Sequence, residues 1–272
     1  MNHDVQVGGE RTAKIGFFDS GLGGLTIFAS VRALLPDYDY RYYGDTLHVP
    51  YGDRKEEEIY ELTKAGVAWL FEEGCTLVVI ACNTSSAETL RRLQDTYLPH
   101  AYPDRRILGV VIPTIEELIE SGTRNALLIA TRRTIESRKY EIELLKRNIT
   151  HLALRSVATS ELVPLIEKGD LIQAARSAIR TIEQEREGAD TVILGCTHYV
   201  LLKDAIRDHF NNSSSVLHVI SQDELIPRKL AQYLMHHPEI ETQLSQEGTY
   251  ALYLTAHGEE YETVCSRLFV TA

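Results

Sequence analysis

The chain has 272 residues, with 28 Lys plus Arg against 39 Asp plus Glu, giving a formal net charge of −11. That balance argues against general nucleic-acid binding. A hydrophobic share of 44% and a charged share of 25% are ordinary globular values for one large or two medium domains. The four cysteines, Cys75, Cys82, Cys196 and Cys265, contain no C-x-x-C pair, which argues against a disulfide framework or a zinc ribbon and for free thiols in a reducing compartment. No apolar run approaches the ~18 residues of a membrane span, and the polar start lacks signal-peptide character. The expectation is a soluble, cytoplasmic protein with neither membrane nor nucleic acid as partner.

In chain order, residues 1–13 read as a disordered tail. Short apolar runs of strand length then alternate with segments of helical period. Strands are predicted over 15–18, 40–43, 76–81, 107–111, 126–130, 152–157, 191–194 and 216–220. Several are apolar throughout, as parallel strands covered on both faces are. One helical stripe runs through Ile59, Leu62, Gly66, Trp69 and Leu70, another through Leu171, Ile172, Ala175, Ala178, Ile179 and Ile182. The fold class is therefore α/β. The stretch 98–106, with Pro99 and Pro103, is the expected internal break.

The chain also echoes itself. Residues 76–84 (TLVVIACNT) are matched by 191–198 (TVILGCTH), each a buried-strand pattern ending on a cysteine and followed by small polar residues that open a helix. Asp19, closing the first strand, has its counterpart in Thr131, closing the fifth. Ligands of open α/β sheets sit at the carboxyl ends of strands, so two such edges facing each other would make one cleft with a thiol on either wall. At a helix start the unpaired N–H groups favour a thiolate, so both cysteines are expected to have lowered pKa values. Taken singly, either reads first as a small buried hydrophobe; the matched pair with its different polar neighbours reverses that reading. Cys75 and Cys265 have no comparable neighbours and read as packing or surface residues.

Residues 19–26 (DSGLGGLT) form a strand-to-helix loop that could aim backbone N–H groups at an anion or be only a tight turn; it lacks the lysine of a phosphate-binding loop. Asp19 and His198 could each relay a proton. Cys82, Cys196 and His198 do not make a zinc-binding spacing. Residues 42–52 (YYGDTLHVPYG) add a strand and a turn, in which His48 could be catalytic but reads first as a solvent-facing or packing side chain for want of an assignable acidic partner. The acidic run Glu56 to Glu58 suits a helix N-terminus and reads as a solvated face.

Taken together and in this order, IGFFDSGLGGLT at 15–26, PYG at 50–52, ACNT at 81–84 and GCTH at 195–198 resemble the cofactor-independent aspartate/glutamate racemase family, and specifically its glutamate racemases. The resemblance runs from about Lys14 into the C-terminal region. It implies two pseudo-symmetric three-layer domains with mainly parallel sheets and the active site in the cleft between them, residues 14–108 with 220–272 forming one and 109–219 the other. It also implies 1,1-proton transfer at Cα of glutamate without cofactor or metal, supplying D-glutamate for peptidoglycan, in an enzyme that is often a homodimer.

By that resemblance Cys82 acts on D-glutamate, assisted by Asp19, and Cys196 acts on L-glutamate, assisted by His198 and Glu167. Asp19, Ser20, Tyr51, Gly52, Asn83, Thr84, Thr131, Thr134, Thr197 and His198 match positions that hold the substrate. The chain departs from the family pattern at Thr114, where glycine is usual, at Thr159-Ser160 in place of Cys-Pro, at Val200 in place of proline, and at Ser221-Gln222 in place of Asp-Ser. These departures leave open aspartate or another acidic amino acid as substrate. A relative with decarboxylase chemistry would need only one of the two cysteines, and a non-catalytic module could use the glycine loop to bind an anion.

Overall fold

The computed structural model describes residues 12–211 and 217–256. Its strands are β1 (Lys14–Asp19), β2 (Tyr40–Gly44), β3 (Cys75–Ile80), β4 (Arg106–Gly109), β5 (Asn125–Ala130), β6 (Ala153–Ala158), β7 (Thr191–Gly195), β8 (His218–Ile220) and β9 (Tyr250–Leu254). They form two sheets, ordered β4-β3-β1-β2-β9 and β6-β5-β7-β8, and every pairing is parallel. Read from the other edge, the second sheet runs β8-β7-β5-β6, the order β4-β3-β1-β2 of the first. The sequence echo is thus a repeat of topology: β1 neighbours the Cys82 strand as β5 neighbours the Cys196 strand. Strand β9 alone has no counterpart.

The strands are apolar throughout because successive side chains feed two different cores. Phe17, Leu77 and Val79 pack on one side of the first sheet with Leu25, Phe28 and Leu230, while Phe18, Val78 and Ile80 pack on the other with Ile59, Val67 and Leu70. In the second sheet Leu127, Ile129, Val192 and Leu194 share a core with Ala178 and Ile182, whereas Leu128 and Ile193 face Ile115 and Leu144. Helices therefore cover both faces of each sheet, as the crossover connections of parallel strands require.

Several expectations change. Residues 1–11 and Cys265 lie outside the described residues, but Ala13 is buried and bridges Leu244, so the ordered chain starts before Lys14. The proline-bearing stretch 98–106 is no boundary: it ends in β4, which pairs with β3 inside the first sheet. Val110 and Val111 belong to the entry of the helix Val111–Glu120 rather than to a strand. In the helix Leu171–Glu185 the buried face is Ala174, Ala175, Ala178 and Ile182, leaving Leu171 and Ile172 on the solvent side.

The two halves touch most closely where glycines leave room. A Cβ on Gly23 would lie 2.5 Å from Thr197 Oγ1 and 2.6 Å from His198 N, and one on Gly52 would lie 2.8 Å from Thr131 Cβ. Gly23 opens the helix Gly23–Leu34 of the first half against the Cys196 loop of the second. Since backbone cannot yield cheaply, Gly23→Ala should destabilise the fold by about 1–3 kcal/mol, read as a lowered denaturant midpoint. Unchanged stability would show that the halves are not packed this tightly.

Candidate active site

The carboxyl ends of β1, β2, β3, β5 and β7 converge on a small cavity between the halves, with Ser20, the Pro50-Tyr51-Gly52 turn, Cys82, Asn83, Thr84, Thr131, Cys196, Thr197 and His198 on its wall. Its volume is about 20 Å3, room for one water molecule. Val163, from the helix Leu162–Glu167, closes it on the second half. Of the thirteen residues singled out from the sequence, Asp19, Thr134 and Glu167 stand one layer behind this wall, each hydrogen-bonded to a residue on it.

Cys82 and Cys196 reach the cavity from different sheets and have unlike surroundings. Cys82 caps the short helix Asn83–Glu88: its sulfur accepts from the Ser85 backbone N–H at 3.5 Å, while its S–H donates to Ser20 Oγ at 3.3 Å. The expected lowering of its pKa does not occur. Burial pushes the thiol up to about 11, Asp19 nearby adds to the rise, and the hydrogen bonds shared with Ser20 and Ser85 offset only part of it. Here desolvation outweighs a helix start of little more than one turn.

On the second half, Cys196 Sγ lies 3.7 Å from His198 Nδ1, and His198 Nε2 is hydrogen-bonded to Glu167. Burial alone would lower the histidine's pKa, but the sulfur and the Glu167 carboxylate on its two nitrogens outweigh it and hold the pKa well above the usual range. A protonated imidazole is the counter-charge that a thiolate at Cys196 requires. The two sulfurs thus have unlike partners: a serine hydroxyl and a backbone N–H at Cys82, the His198 imidazole at Cys196. Cys75, by contrast, is buried in the core with its pKa raised to about 12, a packing residue.

The glycine loop turns its N–H groups onto the chain's own carboxylate. Asp19 Oδ2 accepts from Gly21 N at 3.1 Å and Gly24 N at 3.0 Å, and Oδ1 accepts from Thr197 Oγ1 at 3.3 Å. Asp19 therefore joins the first half to the Cys196 loop. Burial raises its pKa to about 6, with His198 and these donors pulling the other way.

The remaining wall is hydroxyl and amide. Thr84 Oγ1 is 2.9 Å from Thr131 Oγ1 and 3.3 Å from Thr134 Oγ1, a cluster of three hydroxyls spanning the halves. Tyr51 donates to Asp45 Oδ2 at 2.5 Å, and the same buried carboxylate takes His48 Nδ1 at 2.8 Å and the Thr255 hydroxyl at 2.9 Å. His48 thus has the acidic partner that sequence reasoning could not assign, and Asp45 is a site-shaping residue it missed, although Asp45 directly follows β2. Gln222 and Tyr140, bonded to Asn83, were missed as well. Among the described residues no group of three or more His, Cys, Asp or Glu side chains is placed to hold a metal. The described cysteines are all free thiols.

Comparison with known proteins bears on the family and the fold. The family model for Asp/Glu/Hydantoin racemases matches residues 26–225. A glutamate racemase from Dinoroseobacter shibae is 40% identical over 240 residues, covering 83% of this chain and 85% of the relative. The glutamate racemase isoform RacE1 of Bacillus anthracis superposes with a TM-score of 0.82 at 28% identity, covering 96% of each chain. The Francisella tularensis glutamate racemase solved in complex with D-glutamate gives 0.80 at 25% identity, covering 95% of this chain and 94% of that one.

Proposed function

The chain belongs to the Asp/Glu/Hydantoin racemase family and is an isomerase; on that premise we propose that it interconverts L- and D-glutamate by moving a proton at Cα between Cys82 and Cys196. The observation that carries this reading is a pair of free thiols, one from each sheet's repeated motif, lining one cavity. Inversion at carbon requires that one face lose a proton while the other gains one, so a base and an acid must flank the same atom. A thiolate at Cys196 beside protonated His198, facing a thiol at Cys82, is the state that accepts the proton of L-glutamate and delivers one to form D-glutamate. After turnover the protonation states are reversed, ready for the D enantiomer.

The other residues serve that transfer. Glu167 would keep His198 protonated while Cys196 is a thiolate, and Asp19, close to Cys82 and tied to Thr197, would bear on the proton of the first sulfur. Besides the cysteines and His198, the polar side chains of the lining are the hydroxyls of Ser20, Tyr51, Thr84, Thr131 and Thr197 and the amide of Asn83, with no arginine or lysine, so the substrate's charges would be held by preorganised dipoles. A cavity of about 20 Å3 does not hold glutamate; the two strand-end edges must part to admit it.

Glutamate is favoured over aspartate because none of the residues at which the chain departs from the family pattern itself lines the cavity. Thr114, Thr159 and Val200 are all buried away from the cavity, Thr159 being hydrogen-bonded to Tyr199. The same reading gives the protein a cytoplasmic place, the supply of D-glutamate for peptidoglycan and homodimeric assembly. Among the described residues no helix is long and apolar enough to cross a membrane.

Incubation with L-glutamate in heavy water should produce D-glutamate carrying deuterium at Cα, followed by loss of optical rotation and of the Cα proton signal. Turnover of aspartate but not glutamate in the same assay would reassign the substrate. No exchange with either would remove the racemase reading.

A further inference from the structure

Behind the Cys82 wall, three buried side chains from three separate helices close on one another. Asn83 lies in the first turn of the helix Asn83–Glu88, Gln222 in the first turn of Gln222–His236, and Tyr140 on Lys139–Lys146. Each is at most 2% exposed. Asn83 Nδ2 donates to Gln222 Oε1 at 2.7 Å, Gln222 Nε2 donates back to Asn83 Oδ1 at 2.8 Å, and the Tyr140 hydroxyl donates to the same Oδ1 at 3.1 Å. One of the places where the chain leaves the family pattern lies here, Gln222 itself.

A carboxamide has two N–H donors and two carbonyl lone pairs. Gln222 and Tyr140 together consume both lone pairs of Asn83 and one of its N–H groups. A single N–H remains, on a residue that lines the cavity. We infer that Gln222 and Tyr140 are positioning residues that fix Asn83 as a donor only, so that this point of the wall accepts a carboxylate oxygen of the substrate and rejects its ammonium group. Turning the amide over would set its NH2 against Tyr140 and displace the hydroxyl's donor bond. The inference rests on the reading of the cavity as an amino-acid racemase site, and it names what selects the orientation of the substrate there.

Two measurements test it. In the free, 15N-labelled protein, the two Asn83 side-chain protons should be distinct, one slow to exchange with solvent; Gln222→Met, similar in size but without polar atoms, should remove that protection. In steady-state kinetics with glutamate, Gln222→Met and Tyr140→Phe should each raise KM roughly tenfold, with a smaller effect on kcat, since a bond to a charged group present throughout turnover is lost. Neither substitution should raise KM further in an Asn83→Ala background. Full protection retained in Gln222→Met, or an undiminished effect in the Asn83→Ala background, would overturn the inference. Should Gln222→Met fail to fold, Tyr140→Phe, which deletes a single hydroxyl, decides it alone. A wild-type protein inactive on glutamate would refute the function while the exchange measurement still decided the positioning.

Discussion

Cys82→Ser and Cys196→Ser should each lower the interconversion of L- and D-glutamate by roughly a thousandfold or more, because each sulfur serves one face of the substrate and a hydroxyl is too weak an acid and base to replace it. The two variants should differ in what they retain. With Cys82 replaced, Cys196 can still take the Cα proton of L-glutamate, exchange it for a solvent deuteron and return it to the same face. With Cys196 replaced, the same washout should survive for D-glutamate through Cys82. Following the Cα signal of each enantiomer separately in heavy water reads both effects. Near-normal racemisation by either variant would refute the assignment of one sulfur to each face, and so would washout of both enantiomers at equal rates in one variant.

Asp19→Asn should make the protein more stable at pH 8 and less active at every pH. Asp19 is fully buried, and burial pushes its pKa up to about 6 in the folded protein from the ordinary 3.8 of an aspartate. The folded state therefore holds this proton more tightly than the unfolded chain does. Its contribution to stability is fully present below pH 3.8, is lost as the pH rises through about 6, and leaves above that an uncompensated cost of ~3 kcal/mol for the buried charge. Asparagine keeps an oxygen for the Gly21 and Gly24 N–H groups without the charge. Thermal unfolding should shift up by several degrees at pH 8 and scarcely at pH 4, while turnover falls about a hundredfold through the loss of a proton-bearing group beside Cys82. A variant that is destabilised at pH 8 would show that Asp19 is held charged by its partners rather than strained by burial.

Strands β1, β3, β5 and β7 were legible because both faces of each are buried, which writes the strand as an unbroken apolar run ending at the residue that reaches the site. The edge strand β9 was not, since only Leu254 of Tyr250–Leu254 is buried. Val110 and Val111 extended an apolar run past the true end of β4 because periodicity cannot separate a buried strand from the buried first turn of the next helix.

Within the site, residues on the repeated motifs were found and those behind them were not. Asp45 reaches Tyr51 and Thr255, and Gln222 reaches Asn83 across 139 positions of chain; such partnerships exist only once the fold is closed. The helix-start argument for a low Cys82 pKa failed for the same reason: sequence shows the cap but not the depth of burial that overrides it. Likewise Leu171 and Ile172 look like core at helical spacing and turn outward, because alanines suffice where the helix Leu171–Glu185 lies against its sheet.

The most direct test of the two-thiol account is a crystal structure of this protein with D-glutamate bound. The account predicts Cα lying between the two sulfurs, Cys82 Sγ and Cys196 Sγ each about 3.5 Å from it and on opposite faces. A substrate bound with only one sulfur near Cα, or with both on the same face, would contradict it.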